Sequence, residues 1–191
     1  MKEPRILAAM CGSFCTFAQV MPQLERLAQE GYVLRSCMSH MAAETNTRFG
    51  TAQYWRGRLE EATGAPVITT VVQAEPLGPK NMADLMLIAP CTGNTLARLA
   101  AGITDGPVTM AAKSLLRGGR PVVIALSTND GLGASAANIG RLLNTRNYYF
   151  VPFRQDDPAA KPNSLQADFT QLLPTIQAAL EGRQLQPLLC R

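Results

Sequence analysis

The sequence predicts a three-layer α/β fold: a doubly wound, mainly parallel sheet with helices on both faces, Rossmann-like in its alternation. Apolar runs of strand length alternate with helix-length segments along the whole chain. Those runs are continuously apolar rather than alternating in polarity, as strands buried on both faces must be. No repeat, low-complexity tract or linker interrupts the series, so one domain is expected over residues 1–191.

Taken in order, residues 5–10 (RILAAM) read as a short buried strand, followed by a turn at Gly12-Ser13. Phe14 to Gln29 reads as a helix with Phe17, Val20, Leu24 and Leu27 on one face. Pro22 should kink or break it, and Gly31 ends it. A second strand is expected at Tyr32 to Met38, then a Ser39-His40 turn and a loop to about Gly50. Ala52 to Thr63 reads as an amphipathic helix stopped at Gly64. The β-branched run Pro66 to Val72 reads as a third strand, and the Pro/Gly-rich 74–80 as a loop. The fourth strand, Leu85 to Ala89, should stop at Pro90. Helices follow at Thr95 to Ala101 and Val108 to Arg117, with a break at Gly118-Gly119. A fifth strand at Val122 to Leu126, a helix at Ser135 to Leu143 and a sixth strand at Tyr148 to Val151 continue the pattern. A polar loop over 154–164 leads to a last helix, Gln166 to Leu180.

Composition excludes several classes of function. Only 17% of residues are charged, against about 25% in ordinary globular chains, so part of the surface is expected to lie between subunits of a homo-oligomer. The net charge of +4 is mild, and Lys and Arg are scattered without a basic run. That argues against nucleic acid and suits a small acidic ligand. No apolar segment reaches membrane length, and the run before Cys11 is too short for a signal sequence. The odd number of cysteines (Cys11, Cys15, Cys37, Cys91, Cys190) fits reduced thiols in a cytoplasmic protein. With a single histidine, His40, they give no metal site.

In a doubly wound sheet, ligands bind beyond the carboxyl ends of the strands. Gly12, Ser13 and Phe14 follow the first strand, and Ser39 follows the second. Pro90, Cys91, Thr92, Gly93, Asn94 and Thr95 follow the fourth, and Ser127, Thr128, Asn129, Asp130 and Gly131 the fifth. A glycine lets backbone approach a phosphate, and a short hydroxyl or amide donates to an anion at a helix start. Any one of these turns could be a plain cap, with Thr92 or Asn94 satisfying first-turn donors. Together they suit a mononucleotide, its phosphate at the first two turns and its flat ring over the later two. The sequence has no GxGxxG and no acidic residue ending the second strand, so a nicotinamide dinucleotide is not expected here. It has no GxxxxGK[ST] either, so nucleotide hydrolysis is unsupported.

These turns, with the pattern AP-x-x-x-NT-x-A-x-x-A-x-GI-x-D at 89–105, resemble the flavoprotein group. That group contains flavin-dependent cysteine and phosphopantothenoylcysteine decarboxylases and the flavin prenyltransferase. Within it, GSFCTF (12–17), residues 90–113, PVVIALSTNDGLG (121–133), NIGRLLNTRNYYFVPF (138–153) and QDDPAAKPNSL (155–165) look like the family of dipicolinate synthase B subunits. The resemblance implies a flavodoxin-like flavoprotein fold and a trimeric or larger assembly. It also implies FMN held by Gly12, Ser13, Phe14, Ser39, Pro90, Cys91, Asn94, Thr95, Ser127 and Thr128. Asn94 matches the asparagine of the family's flavin and substrate site. The implied function is formation of dipicolinic acid from hydroxytetrahydrodipicolinate, or dihydrodipicolinate, in the mother cell during sporulation. A partner A subunit would bring NADP or NAD.

The decarboxylases resemble one another in a histidine base on the segment before the Asn-bearing strand. Here that segment, 71–81, has no histidine, and a decarboxylase would have to use Glu75 or another group. His40 reads as a polar loop residue. Arg141, Arg146, Arg154 and Lys161 are candidates for the substrate carboxylates, or solvated surface charges. Asn94 is the expected catalytic-site residue. Asp130, or the pair Asp156-Asp157, could move protons, and Asp130 could equally hold an Asx-turn. A non-catalytic partner that binds flavin or substrate stays open beside the synthase.

Overall fold

The computed structural model describes residues 3–190; the remaining residues of the expected 1–191 domain lie outside that range. Five parallel strands form the central sheet: β1 (Arg5–Met10), β2 (Val33–Met38), β3 (Leu85–Cys91), β4 (Val122–Thr128) and β5 (Tyr148–Phe150). Their spatial order is β2-β1-β3-β4-β5. Ala9 of β1 pairs with Cys37 on one side and Ile88 on the other. The chain therefore leaves β1 toward β2 and returns across it to β3. The edge between β1 and β3 is the switch point at which such sheets open a crevice.

Every residue of β3 is buried, as are the last five positions of β1 and all but the last of β4, so these strands carry the core. Helices α1 (Phe17–Gln29), α3 (Ala52–Thr63) and α8 (Leu172–Leu180) cover one face. Helices α4 (Val71–Ala74), α5 (Gly93–Ala101), α6 (Pro107–Arg117) and α7 (Ala136–Leu143) cover the other. Helix α1 turns Phe17, Val20, Met21, Leu24 and Leu27 inward. Pro22 does not break it, because Pro22 and Ala18, whose carbonyl loses its partner, both sit on the exposed side. A 3-10 turn at Phe14–Thr16 precedes this helix.

Four expectations are corrected. Residues 66–72 do not form a strand. Ile68 makes a single bridge to Cys37, after which Thr70 and Gln73 form a capping box that turns the chain into α4. The local cap overrides the β-branched preference. The Ser39-His40 turn opens a short helix, α2 (His40–Glu44), because the Ser39 hydroxyl accepts the Ala42 N–H at 3.3 Å. Strand β3 does not stop at Pro90 but runs through it to Cys91, with a register shift after Ile88 that absorbs the missing N–H. Lastly, 153–171 is not a loop entering a helix. Strands β6 (Phe153–Arg154) and β7 (Leu165–Ala167) pair antiparallel, and β7 pairs antiparallel with Ser127 and Thr128 of β4. Asp168 then caps the following turn through Thr170 N–H at 3.0 Å, and α8 begins only at Leu172.

The amino end of the sheet is closed by charge. Asp84 accepts from the Arg5 backbone N–H at 3.0 Å, from Nε at 3.0 Å and from Nη2 at 2.7 Å. Arg120 approaches the same carboxylate at 4.0 Å and donates to Asn81 Oδ1 at 2.8 Å. Among the described residues, no helix is long and apolar enough to cross a membrane.

Candidate functional site at the carboxyl edge

The carboxyl ends of β1, β3 and β4 open into a groove of two lobes that share Gly12 and Thr92. The geometry begins at β1, where Cys11 N–H donates to Pro90 O at 3.1 Å and holds the first turn against the third. Thr92 caps α5: its hydroxyl accepts the Thr95 N–H at 3.2 Å and bonds the Thr95 hydroxyl at 3.2 Å. The cap is therefore Thr92, and Asn94, two residues on in the first turn, is left exposed on the groove.

The first lobe is a cavity of about 450 Å³ lined by Gly12, Ser39, His40, Met41, Thr92, Asn94, Thr95 and Arg98, and by residues 105–109. It brings together the N-termini of α5 and α6, where unpaired N–H groups favour an anion. A Cβ on Gly12 would meet Met41 Cβ at 3.4 Å and the Phe14 ring at 3.5 Å, ordinary contact distances, so its absence opens the groove without being forced by the neighbours. Arg98 lies 3.1 Å from Asp105.

The second lobe, about 390 Å³, is lined by Gly12, Ser13, Phe14, Cys15, Phe49, Thr92, Gly93 and residues 127–129. A strap contributes Asp156, Lys161, Ser164, Leu165 and Gln166. The Ser13 and Ser127 hydroxyls bond each other at 2.8 Å across its floor. Gly93 separates the lobe from the wall behind: a Cβ there would fall 2.7 Å from the Ser135 hydroxyl and 2.9 Å from Asp130 Oδ1.

The expected residues divide accordingly. Gly12, Ser39, Asn94 and Thr95 meet in the first lobe, and Ser13, Phe14, Ser127 and Thr128 in the second. Pro90 and Cys91 reach neither, since β3 continues through them and buries both in the floor. Burial pushes the Cys91 thiol well up. Asp130 sits behind the second lobe, where Oδ1 accepts from the Thr128 hydroxyl and from Ser135 Oγ at 2.8 Å. Those hydroxyls hold its carboxyl below the usual range, so it stays ionised. Of the basic candidates, Lys161 alone lines the groove. Arg154 lines an adjoining depression with Gln19 and Gln23 that meets the second lobe at Asp156 and Gln166, and Arg141 and Arg146 are exposed outside both lobes. Asp157 accepts the Ala160 N–H at 3.0 Å within the strap. Glu75 lies on another surface, beside Met110 and Lys113.

Three further contributors lie outside the expected set: His40, Arg98 and the α6 N-terminus. His40 is not a bystander in a loop but the first residue of α2, facing the first lobe. Arg98 could have been found from its spacing, one helical turn after Asn94 on the same face. Gly106-Pro107, with proline at the first helical position, is a start signal for α6.

Comparison with known proteins decides the family. The Flavoprotein family matches residues 1–163. The chain belongs to that family. It is 48% identical over 189 residues to the dipicolinate synthase B subunit of Bacillus subtilis (strain 168), covering 99% of this chain and 94% of the relative. The crystal structure of the dipicolinate synthase B subunit from Bacillus halodurans superimposes with a TM-score of 0.90 at 45% identity, covering 98% of this chain and 96% of that one. The FMN-dependent cysteine decarboxylase SpaF matches with a TM-score of 0.68 at 25% identity, over 93% and 95% of the two chains. The flavoprotein family and the mixed α/β architecture are thus both as the sequence suggested.

Proposed function

We propose that this chain is the B subunit of a dipicolinate synthase. With a nicotinamide-binding A subunit it takes part in converting hydroxytetrahydrodipicolinate, or dihydrodipicolinate, to dipicolinic acid in the cytoplasm of a sporulating mother cell. The observation that carries the reading is the match over 99% of the chain to a protein of that name. In this reading residues 1–191 act as one domain, and copies assemble into a homo-oligomer, a trimer or a multiple of one. Exposed Met41 and Phe49 at the groove lip and the low charge content support that assembly.

The groove fits a flavin mononucleotide on chemical grounds. Gly12 allows close backbone approach, Ser39 and two helix starts offer donors to a phosphate, and the volume lies in the range of cofactor clefts. A bound flavin would supply a two-electron acceptor for the aromatising oxidation. Gly12, Ser39 and Thr95 would hold it in the first lobe, Ser13, Phe14, Ser127 and Thr128 would line the adjoining lobe where its ring meets the substrate, and Pro90 and Cys91 would form the floor beneath. Asn94, unused by the cap, would orient the planar ring and the substrate through its amide. Asp130, ionised and tied to two hydroxyls, acts in this reading as a positioning residue for the Gly93 wall.

A second reading has its own observation. The carboxylates near the groove are engaged: Asp130 by two hydroxyls, Asp156 by Lys161 and Ser164, and Asp105 by Arg98. A groove whose neighbouring carboxylates are all engaged could bind flavin and substrate while the A subunit moves the protons. Co-expression with the A subunit, with and without FMN, followed by an assay for dipicolinate, tests both. Dipicolinate formed only with both chains, and a yellow flavin spectrum on this one, are expected. Equal turnover by that partner alone defeats the synthase reading, and a colourless chain that restores turnover without FMN favours the second.

A further inference from the structure

One cation reaches each lobe of the groove. Arg98 enters the first from α5, beside Asp105. Lys161 enters the second from the strap, and the strap is built to hold it still. The Lys161 N–H donates to Asp157 O at 2.7 Å, the Ser164 N–H to Lys161 O at 3.0 Å, and the Leu132 N–H to Asn163 O at 3.0 Å. Gln155 Nε2 donates to Pro162 O at 2.7 Å. The base of the strap is seated where Gly131 meets Leu165, so closely that a Cβ on Gly131 would fall 2.6 Å from the leucine side chain.

The lysine is held at its tip as well. Its Nζ lies 3.2 Å from one oxygen of Asp156, whose other oxygen accepts the Ser164 hydroxyl. An ammonium has three donors, and Asp156 engages one. Across the same cavity stands the Ser13–Ser127 pair. One of those hydroxyls donates to the other, so a single O–H remains to donate to a ligand. The lobe thus presents donors, while its one carboxylate is already engaged. Its side walls include Phe14 and Phe49, the latter stacked under the Arg48 guanidinium at 4.8 Å.

We infer that the second lobe is a carboxylate subsite for a flat ring, with Lys161 as its specificity-determining residue and Asp156 positioning it. The ring lies between Phe14 and Phe49, and one carboxylate takes the lysine and the free serine hydroxyl. This deepens the synthase reading and rests on it for the identity of the natural ligand, but the subsite is tested apart from turnover.

The probe is isophthalate, a flat dicarboxylate that does not chelate metals as a pyridine dicarboxylate does, titrated calorimetrically into the purified chain. Its neutral diamide is the control. Wild type should bind isophthalate and not the diamide. Lys161→Gln should weaken isophthalate binding by about 10-fold or more, as loss of a charged hydrogen bond does. Lys161→Arg should recover most of the binding, and FMN affinity should be unchanged in both variants. Wild type that ignores isophthalate, or Lys161→Gln that binds it equally well, overturns the subsite. A loss that Lys161→Arg does not recover assigns the effect to strap packing and overturns it too. Lysine-dependent isophthalate binding without dipicolinate formation by the paired subunits would sink the synthase reading alone.

Discussion

The two ends of the same parallel strands are finished in opposite ways. At the amino end, Arg5, Asp84, Arg120 and Asn81 satisfy one another in a charged cluster whose principal pair is only about a quarter exposed. At the carboxyl end the chain places glycines, hydroxyls and two exposed asparagine amides, its charges there paired as Arg98–Asp105 and Lys161–Asp156, and it leaves two cavities between them. Charge used for closure is withdrawn from chemistry. Short neutral donors at strand ends close little by themselves and remain able to meet a ligand. In a chain with so few charges this division is economical, and it makes the two ends separable by experiment.

The largest effect should come from the carboxyl end. Asn94→Ala removes an exposed amide that is not the α5 cap. Turnover with the A subunit should fall by about 100-fold, the scale of losing one aimed donor. The melting temperature should stay within about 2 °C, because surface changes away from caps and core cost little. Wild-type turnover by this variant would remove Asn94 from the site. A large drop in melting temperature would instead make it a structural residue and blur the contrast between the ends.

The amino end should respond in the opposite way. Arg5 holds the Asp84 carboxyl down to about 2, chiefly by side-chain hydrogen bonding, against an ordinary value of 3.8. A depressed acid stabilises the fold fully above its unfolded value, and that contribution is lost as pH falls through the folded one. Asp84→Asn should therefore lower the melting temperature by about 2–4 °C at neutral pH and leave FMN affinity unchanged. The gap from wild type should narrow as pH falls from about 3.8 toward about 2. A constant gap over that window would mean that Asp84 acts through packing rather than charge.

What is legible in the sequence follows the same division. The apolar stretches 5–10, 85–89 and 122–126 show as strands because burial on both faces writes itself into continuous apolar runs, although the third and fourth sheet strands run on to Cys91 and Thr128. The edges do not show. Phe153–Arg154 and Leu165–Ala167 are too short to carry a period, and their pairing depends on where Ser127 and Thr128 end up. Ile68 touches the sheet edge once before Thr70 diverts the chain. At the groove, Gly12, Ser39 and Asn94 are readable because the fold fixes where strand ends point. Arg98 follows from Asn94 by helical spacing, whereas His40 and the strap do not, because they enter sideways from elements placed only by tertiary packing. That Asp130 is engaged by Ser135, five residues on, is likewise invisible in a string of residue types.

The smallest effect concerns the floor of the groove. Cys11 and Cys91 lie directly beneath the carboxyl edge, and Cys37 lies beside them at the end of β2. Burial pushes the Cys11 thiol up to about 11, partly offset by a hydrogen bond to Thr95, and it pushes Cys37 and Cys91 up as well. A buried thiol with a raised pKa is a poor nucleophile. Cys15, by contrast, is exposed and lines the second lobe, and Cys190 is half-buried elsewhere. Alkylation with iodoacetamide near neutral pH, mapped by mass spectrometry, should mark Cys15 first and Cys190 next, and spare Cys11, Cys37 and Cys91 until denaturant is added. Isophthalate should slow the reaction at Cys15 and leave Cys190 unaffected. If Cys11 or Cys91 reacts as fast as Cys15, the floor is open to solvent, and the groove is not the closed, donor-lined surface that sets this end of the sheet apart from the other.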